Sequence, residues 1–149
     1  MQKIIEEGGV LIVDAELRKR ITNFIVEKIT PEFIVLFGSQ ATGLTHLESD
    51  VDIAFYKPHH ELSAFEILGL ATELAGLIKI KVDLIDLNTA STVFKAQIFS
   101  TGEPLYMTSQ FDFDEYQMRT LSMYFNFDFE RREILQSIIE SGSVYDNQK

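Results

Sequence analysis

The chain has 149 residues, and its 23 acidic against 13 basic side chains give a formal net charge of −10. The absence of cysteine excludes a disulfide framework, a thiolate nucleophile and Cys-ligated zinc. Because the chain is 46% apolar and no apolar run approaches the roughly 20 residues of a membrane helix, we expect a soluble cytoplasmic single domain that contacts no membrane.

The net negative charge also bears on partners. A chain of this sign repels polyanions, and its Lys and Arg residues are scattered, so we expect no direct binding of nucleic acid. The same charge suits divalent cations or a basic protein partner.

The first part of the chain predicts a helix followed by a buried strand. Apolar residues recur at helical spacing over 14–29, and Asp14 is a candidate N-cap. Pro31 ends this helix, because the residue before a proline is pushed out of the helical region. The continuous apolar run 33–37 then predicts a strand that stops at Gly38.

Three further elements fill the middle of the chain. Residues 50–56 alternate as a strand, with Asp50 and Asp52 on the face opposite its large apolar side chains. Residues 61–78 are predicted to be helical, and 79–87 to form another alternating strand. One side of the predicted helix carries Leu62, Phe65, Leu68, Thr72, Ala75 and Leu77.

The last part predicts a short helix over 90–99, a brief strand over 105–107 and a long helix from about 112 to 140. This order of elements predicts an α/β (α+β) fold, in which helices flank a small mixed sheet and a long helix ends the chain. We divide the chain into a core, 1–107, and a C-terminal helical extension, 108–149, which either belongs to the same domain or binds a partner.

The stretch after the first predicted strand has the features of a phosphate-binding corner. Gly38 and Gly43 allow the backbone to approach a phosphate, and the turn between them presents N–H donors. Ser39 adds a hydroxyl donor, while Gln40 and Thr42 add neutral polar groups. These five residues are our candidates for binding a nucleotide.

Three carboxylates are candidates for metal binding and catalysis. Asp50 and Asp52 lie at positions i and i+2 of a strand and share one face, about 6–7 Å apart, so both can contact one divalent ion or bridge two. Mg²⁺ suits them because it prefers hard oxygen ligands. Asp83 completes the site if its strand pairs beside theirs in either direction, and it can act as a general base. Asp86 points to the other face and is the weaker candidate.

The order Gly38-Ser39, ten residues, then Asp50-x-Asp52 resembles the signature of the DNA polymerase β-type nucleotidyltransferases. The compact length, Ser49 before the aspartates and Val-Asp-Leu at 82–84 resemble the minimal nucleotidyltransferase (MNT) branch of that family. The resemblance covers about residues 14–107, and it implies a polymerase β-like sheet.

One departure from the family pattern concerns the phosphate-binding loop. Many members have arginines at the positions that Gln40 and Thr42 occupy here, so the loop lacks two cationic contacts. We hypothesise that Lys79 or Lys81, on the same strand face as Asp83, supplies the missing charge.

The resemblance also implies a partner. A large share of the MNT branch consists of antitoxins that are paired with HEPN-domain ribonuclease toxins. This implies that the chain uses two Mg²⁺ ions and ATP to transfer AMP to its HEPN partner, onto a tyrosine hydroxyl, within a hetero-oligomer. Two alternatives stay open: a nucleotidyltransferase for a small acceptor such as an antibiotic, and an MNT-derived antitoxin that blocks its partner without catalysis.

The C-terminal helix carries more aromatic surface than one core stripe requires. Met118, Leu121, Phe125 and Phe129 recur every three or four residues. Such a helix either packs against the sheet or presents part of this surface to a partner. On the second alternative, removal of 112–149 abolishes partner binding and leaves the fold intact.

Overall fold

The computed structural model describes residues 4–5, 11–12, 14–38 and 50–141. The elements in these ranges are β1 (Ile4–Ile5), β2 (Leu11–Ile12), α1 (Ala15–Ile29), β3 (Phe33–Phe37), β4 (Val51–Tyr56), α2 (Ala64–Ile78), β5 (Val82–Asp86), α3 (Thr92–Thr101), β6 (Glu103–Met107) and α4 (Gln110–Glu140). The predicted order of elements is confirmed from α1 onward, whereas the β1–β2 pair was not predicted. None of the helices in the described part of the chain is long and apolar enough to cross a membrane.

The main sheet has four strands in the order β5-β4-β3-β6. Its β4 and β5 strands run parallel, whereas β3 pairs antiparallel with both β4 and β6. The sheet is therefore mixed, as the sequence predicted. The short strands β1 and β2 form a separate antiparallel pair.

Helices cover both faces of the sheet, which explains why β3 is apolar throughout. On one face, α1 and α2 pack against Ile34 and Leu36 of β3. On the other face, α3 and the first turns of α4 pack against Phe33, Val35 and Phe37. Because neighbouring strand residues alternate between faces, one apolar strand supplies the centre of both cores.

Local capping sets where the helices begin and end. The Asp14 side chain accepts a hydrogen bond from the Leu17 N–H at 2.9 Å, so α1 begins where the sequence predicts. Ser63 and Glu66 form a reciprocal capping box, and α2 therefore starts at 64 instead of 61. Lys79 caps the end of α2 in the left-handed conformation, at φ +61°. A residue in this conformation is not part of a strand, so Lys79 does not belong to β5.

The predicted apolar side of α2 is largely exposed. Ala71, Leu74 and Ile78 face the core instead. Phe65 is 84% exposed, and Leu68 and Leu77 also reach solvent. The helix carries apolar residues on two neighbouring faces, so spacing alone does not identify the face that meets the sheet.

Helix α4 has a buried beginning and an exposed remainder. Phe113 is 5% exposed, and its ring meets Phe33 edge-on with the centroids 5.0 Å apart. Tyr116 joins the same aromatic cluster, 4.5 Å from Tyr56. The large apolar side chains from Phe125 onward are exposed. Deletion of 112–149 would therefore remove core residues, and the expectation that it leaves the fold intact is wrong.

Two phenylalanines of α4 provide a test of this division. Phe113→Ala should lower the free energy of unfolding by about 3–5 kcal/mol, because it leaves a cavity beside Phe33. Phe129→Ala, at a position 61% exposed, should change it by no more than about 0.5 kcal/mol. Urea denaturation measures both values, and equal effects would show that the described packing of α4 is incorrect.

Candidate active site

The three candidate carboxylates lie at one edge of the main sheet. In the parallel pairing of β4 with β5, Asp52 is directly opposite Asp83, so both side chains project from the same face. Asp50 immediately precedes β4, two residues before Asp52. The sequence left the direction of this pairing open. The parallel arrangement brings the beginnings of both strands, and with them all three carboxylates, to the same edge.

The environment of Asp52 raises its pKa from 3.8 to about 6. Burial is the largest cause, because a low-dielectric surrounding disfavours the charged carboxylate. The negative charges of Asp83 and then Asp50 add to the effect. This edge of the sheet therefore concentrates negative charge around a half-buried carboxylate, which a bound cation would stabilise.

Gly38 packs directly against this carboxylate. It follows β3, whose last residue Phe37 pairs with Asp52, and its φ is +73°. A Cβ atom at this position would lie 2.3 Å from Oδ2 of Asp52, closer than any real contact allows. Glycine adopts this conformation without strain, and any side chain here would force the Asp52 carboxylate to move. The candidate phosphate-binding corner thus starts beside the candidate metal ligand.

Four of the predicted nucleotide-binding residues lie outside the described residues. They are Ser39, Gln40, Thr42 and Gly43. Their contacts with a nucleotide stay predictions, supported by the position of Gly38, which precedes them directly in the chain.

The donor set is compatible with Mg²⁺ but does not form a complete cage. Within residues 14–38 and 50–141, no group of three or more His, Asp or Glu side chains is arranged to hold a metal ion. Mg²⁺ commonly takes only one or two carboxylates and fills its remaining positions with water and substrate phosphates. Asp50 and Asp52 therefore fit as partial ligands, with phosphate oxygens completing the coordination.

The two candidate lysines are placed differently from each other. Lys79 is the C-cap of α2, so its predicted position on the strand of Asp83 is wrong. Lys81 lies one residue before β5, and its carbonyl accepts a hydrogen bond from the Val51 N–H at 2.8 Å. Of the two, only Lys81 lies beside the edge of the sheet that carries Asp50, Asp52 and Asp83, which we call the carboxylate edge.

Asp86 has a structural role that the sequence did not suggest. It is 1% exposed, and its two carboxylate oxygens accept hydrogen bonds from the N–H groups of Leu62 and Asn88, at 3.1 and 3.0 Å. It therefore ties the segment before α2 to the end of β5. Asp86 is distinct from Asp83, as the sequence predicts, since the pleat turns the two side chains to opposite faces.

Phe94 is a neighbour of the site that the sequence analysis missed. Its ring meets Phe37 edge-on, with the centroids 6.0 Å apart. Ser91, whose hydroxyl accepts from the Phe94 N–H at 3.1 Å, starts α3 at this point and is the local signal that was available. The first turn of α3 is thus fixed next to the strand residue that pairs with Asp52.

Comparisons with known proteins agree with this geometry. A family model described as "Polymerase beta, Nucleotidyltransferase" matches residues 19–111. A protein adenylyltransferase MntA of Shewanella oneidensis is 36% identical over 113 residues, which cover 76% of this chain and 80% of that protein. A second one, from Aphanizomenon flos-aquae, is 31% identical over 116 residues, 72% of this chain and 77% of that protein.

Solved structures show the same similarity. A toxin–antitoxin crystal structure with AMP-PNP superposes with a TM-score of 0.73 at 32% identity, covering 82% of this chain and 98% of the matched chain. A complex of tri-AMPylated Shewanella oneidensis HEPN toxin with MNT antitoxin gives 0.67 at 30% identity, covering 82% and 95%.

The contact between Gly38 and Asp52 predicts a cost for any side chain at position 38. Gly38→Ala should lower the free energy of unfolding by at least about 1–2 kcal/mol, because the residue has a positive φ and the methyl group meets Oδ2. Gly69→Ala is the matched control: its methyl group meets open space on α2, and it should stabilise the protein by about 0.5–1 kcal/mol. A Gly38→Ala protein as stable as the wild type would contradict the contact.

The raised pKa of Asp52 predicts a pH dependence of stability. The folded state holds this proton more tightly than the unfolded chain, so the contribution is present below pH 3.8 and is lost as the pH rises through about 6. Asp83→Asn should reduce the loss, and Asp52→Asn should remove the contribution of Asp52. The loss that remains comes from Glu32, whose pKa is raised by burial and by the charge of Asp112. Asp114→Asn, on the exposed surface of α4, should leave the loss unchanged.

Urea denaturation between pH 4 and pH 8, in the presence of a chelator, measures this loss. Added Mg²⁺ should restore stability at the upper end, because the ion binds the ionised form. A loss as large in Asp52→Asn as in the wild type would assign the titration to other groups.

Proposed function

Because this chain belongs to the polymerase β nucleotidyltransferase family, we propose that it transfers AMP from ATP to a HEPN toxin and thereby neutralises that toxin as its antitoxin. The observation that carries the proposal is the carboxylate edge, where Asp52 and Asp83 face each other beside Asp50 and Gly38. The two MntA relatives are named protein adenylyltransferases, and a solved neighbour contains an AMPylated HEPN toxin.

The residues of the edge have distinct roles in this reaction. Asp50 and Asp52 would hold Mg²⁺, which supplies positive charge to the triphosphate when bound. Gly38 and the residues that follow it, with Ser39, would receive the phosphates through backbone and hydroxyl donors. Asp83, which is exposed, accepts the proton of the acceptor hydroxyl. The hydroxyl oxygen bonds to the α-phosphorus, the bond from that phosphorus to the bridging oxygen breaks, and pyrophosphate leaves.

The acceptor is a protein in this proposal, and its modified group is a tyrosine hydroxyl. A net charge of −10 attracts a partner that itself binds RNA through basic groups. We place the pair in the cytoplasm, where ATP and the RNA substrates of a ribonuclease are found. The two ions of the family mechanism are part of the proposal, with Asp83 as a further ligand.

Substitution of the two aspartates separates catalysis from contact. Asp50→Asn with Asp52→Asn should reduce AMP transfer to the HEPN toxin by at least about 10³-fold while the two proteins still co-purify, because the charge is lost without a change of shape. Glu61→Gln, an exposed carboxylate just before α2, is the control and should transfer AMP normally. Intact mass spectrometry of the toxin after incubation with Mg²⁺ and ATP counts the AMP groups added.

The same experiment tests the alternatives. A double variant that still neutralises the toxin would show a non-catalytic antitoxin. A wild-type protein that leaves the toxin unmodified but adenylylates an aminoglycoside-type acceptor would show a small-molecule nucleotidyltransferase.

A further inference from the structure

An apolar groove runs between α3 and α4 on the outer side of the domain. Val93, Ala96 and Gln97 of α3 line it on one side, and Leu121, Tyr124 and Phe125 of α4 on the other. Its volume is about 290 Å³, and its lining within the described part of the chain is uncharged. Phe125 is 62% exposed and Val93 is also exposed, so two large apolar side chains at this groove are not covered by the described part of the chain.

The two helices run antiparallel, because Phe99 meets Phe113 at one end of the pair and Val93 shares the groove with Phe125 at the other. The end with Val93 is also the end next to the carboxylate edge. Phe94, the neighbour of Val93, contacts Phe37, and Phe37 pairs with Asp52. A molecule seated in the groove at Val93 is therefore placed beside the strands that carry the candidate catalytic residues.

We propose that this α3–α4 groove binds an amphipathic helix of the acceptor toxin and so brings the acceptor hydroxyl to the carboxylate edge. This inference rests on the proposed function, since it assumes a protein acceptor. The side-chain ridge of a third helix can pack into a groove between two antiparallel helices. One large apolar side chain of that helix would be inserted between Val93 and Phe125.

The charges of α4 indicate which residues border the apolar stripe of the bound helix. Over its length α4 has seven acidic and three basic residues. One of the acidic residues, Asp114, lines a neighbouring cavity that shares Leu121 and Phe125 with the groove. A helix with an apolar stripe bordered by Lys or Arg matches this surface, and a ribonuclease that holds RNA carries such basic residues. A second copy of this chain has the same excess of acid on α4 and matches less well.

Phe125→Ser tests the proposal, with Phe65→Ser as the matched control. Both phenylalanines are exposed and helical, but Phe65 lies on the outer face of α2, away from the groove. The partner in this test is a HEPN toxin of the kind seen in the solved toxin–antitoxin complex. We expect Phe125→Ser to raise the KM for toxin in AMP transfer at least 10-fold, with little change in kcat, and to weaken toxin binding equally. Phe65→Ser should behave like the wild type.

Two further measurements make each outcome decisive. Binding of AMP-PNP to the antitoxin alone should be the same in both variants, and a loss in Phe125→Ser would overturn the inference because it would place the defect in the nucleotide site. Size-exclusion chromatography reports self-association: a dimer that Phe125→Ser converts to a monomer, with toxin binding intact, would assign the groove to a second copy. Unchanged toxin binding in Phe125→Ser, or an equal loss in Phe65→Ser, would also overturn it.

Failure of the proposed function gives a different pattern. If the wild type binds toxin without modifying it, and Phe125→Ser loses that binding, the groove is a toxin-binding surface. The proposed transfer of AMP is then contradicted. If the wild type modifies toxin and Phe125→Ser does so equally well, the proposed transfer of AMP is supported. The proposed role of the groove is then contradicted.

Discussion

The parallel pairing of β4 with β5 concentrates like charge at one edge of the sheet. Asp52 and Asp83 stand directly opposite each other, an arrangement that is unfavourable between two carboxylates. Burial raises the pKa of Asp52 most, and the negative charge of Asp83 adds to the effect. The rest of the sheet holds the pair in place, because β3 and most of β4 are buried beneath helices on both faces. A slip of one residue would turn every apolar side chain of these strands to the wrong face.

Strand β5 carries two aspartates, Asp83 and Asp86, in different environments. Asp83 lies at the open edge and is exposed, whereas Asp86 is buried and has a backbone N–H donor for each oxygen. The buried carboxylate is satisfied by its own chain and organises the segment before α2. The exposed carboxylate of Asp83, beside Asp52, is accessible to groups that approach from solvent. Burial and hydrogen bonding thus separate a structural acid from a candidate catalytic acid three residues away.

Helix α4 joins the fold to the proposed partner. Its first turns complete the second core through Phe113 and Tyr116, and its later turns expose apolar side chains along their length. Because the helix is continuous, its anchored beginning fixes the position of the exposed part relative to the carboxylate edge. Under the proposed function, such an extension can position a protein acceptor without any movement of β4 and β5.

Much of the fold and of the site could be predicted from the sequence. Strong periodicity, Asp14 and Pro31 defined α1, and the Gly38-Ser39 and Asp50-x-Asp52 spacing indicated the family. These features are local, so they depend only on neighbours along the chain. The α2 face and the start of the next strand at residue 79 were predicted incorrectly, because two apolar stripes compete on α2 and Lys79, with a positive φ, caps the helix instead of starting β5.

The sequence by itself determined the element types, the family and the candidate carboxylates. Tertiary structure decided that β5 lies parallel to β4, that Asp52 therefore faces Asp83, and that Phe113 is core while Phe125 is exposed. Strand direction and helix burial arise from contacts between residues far apart in sequence. No local pattern records such contacts, so only the packed sheet and its helices could decide them.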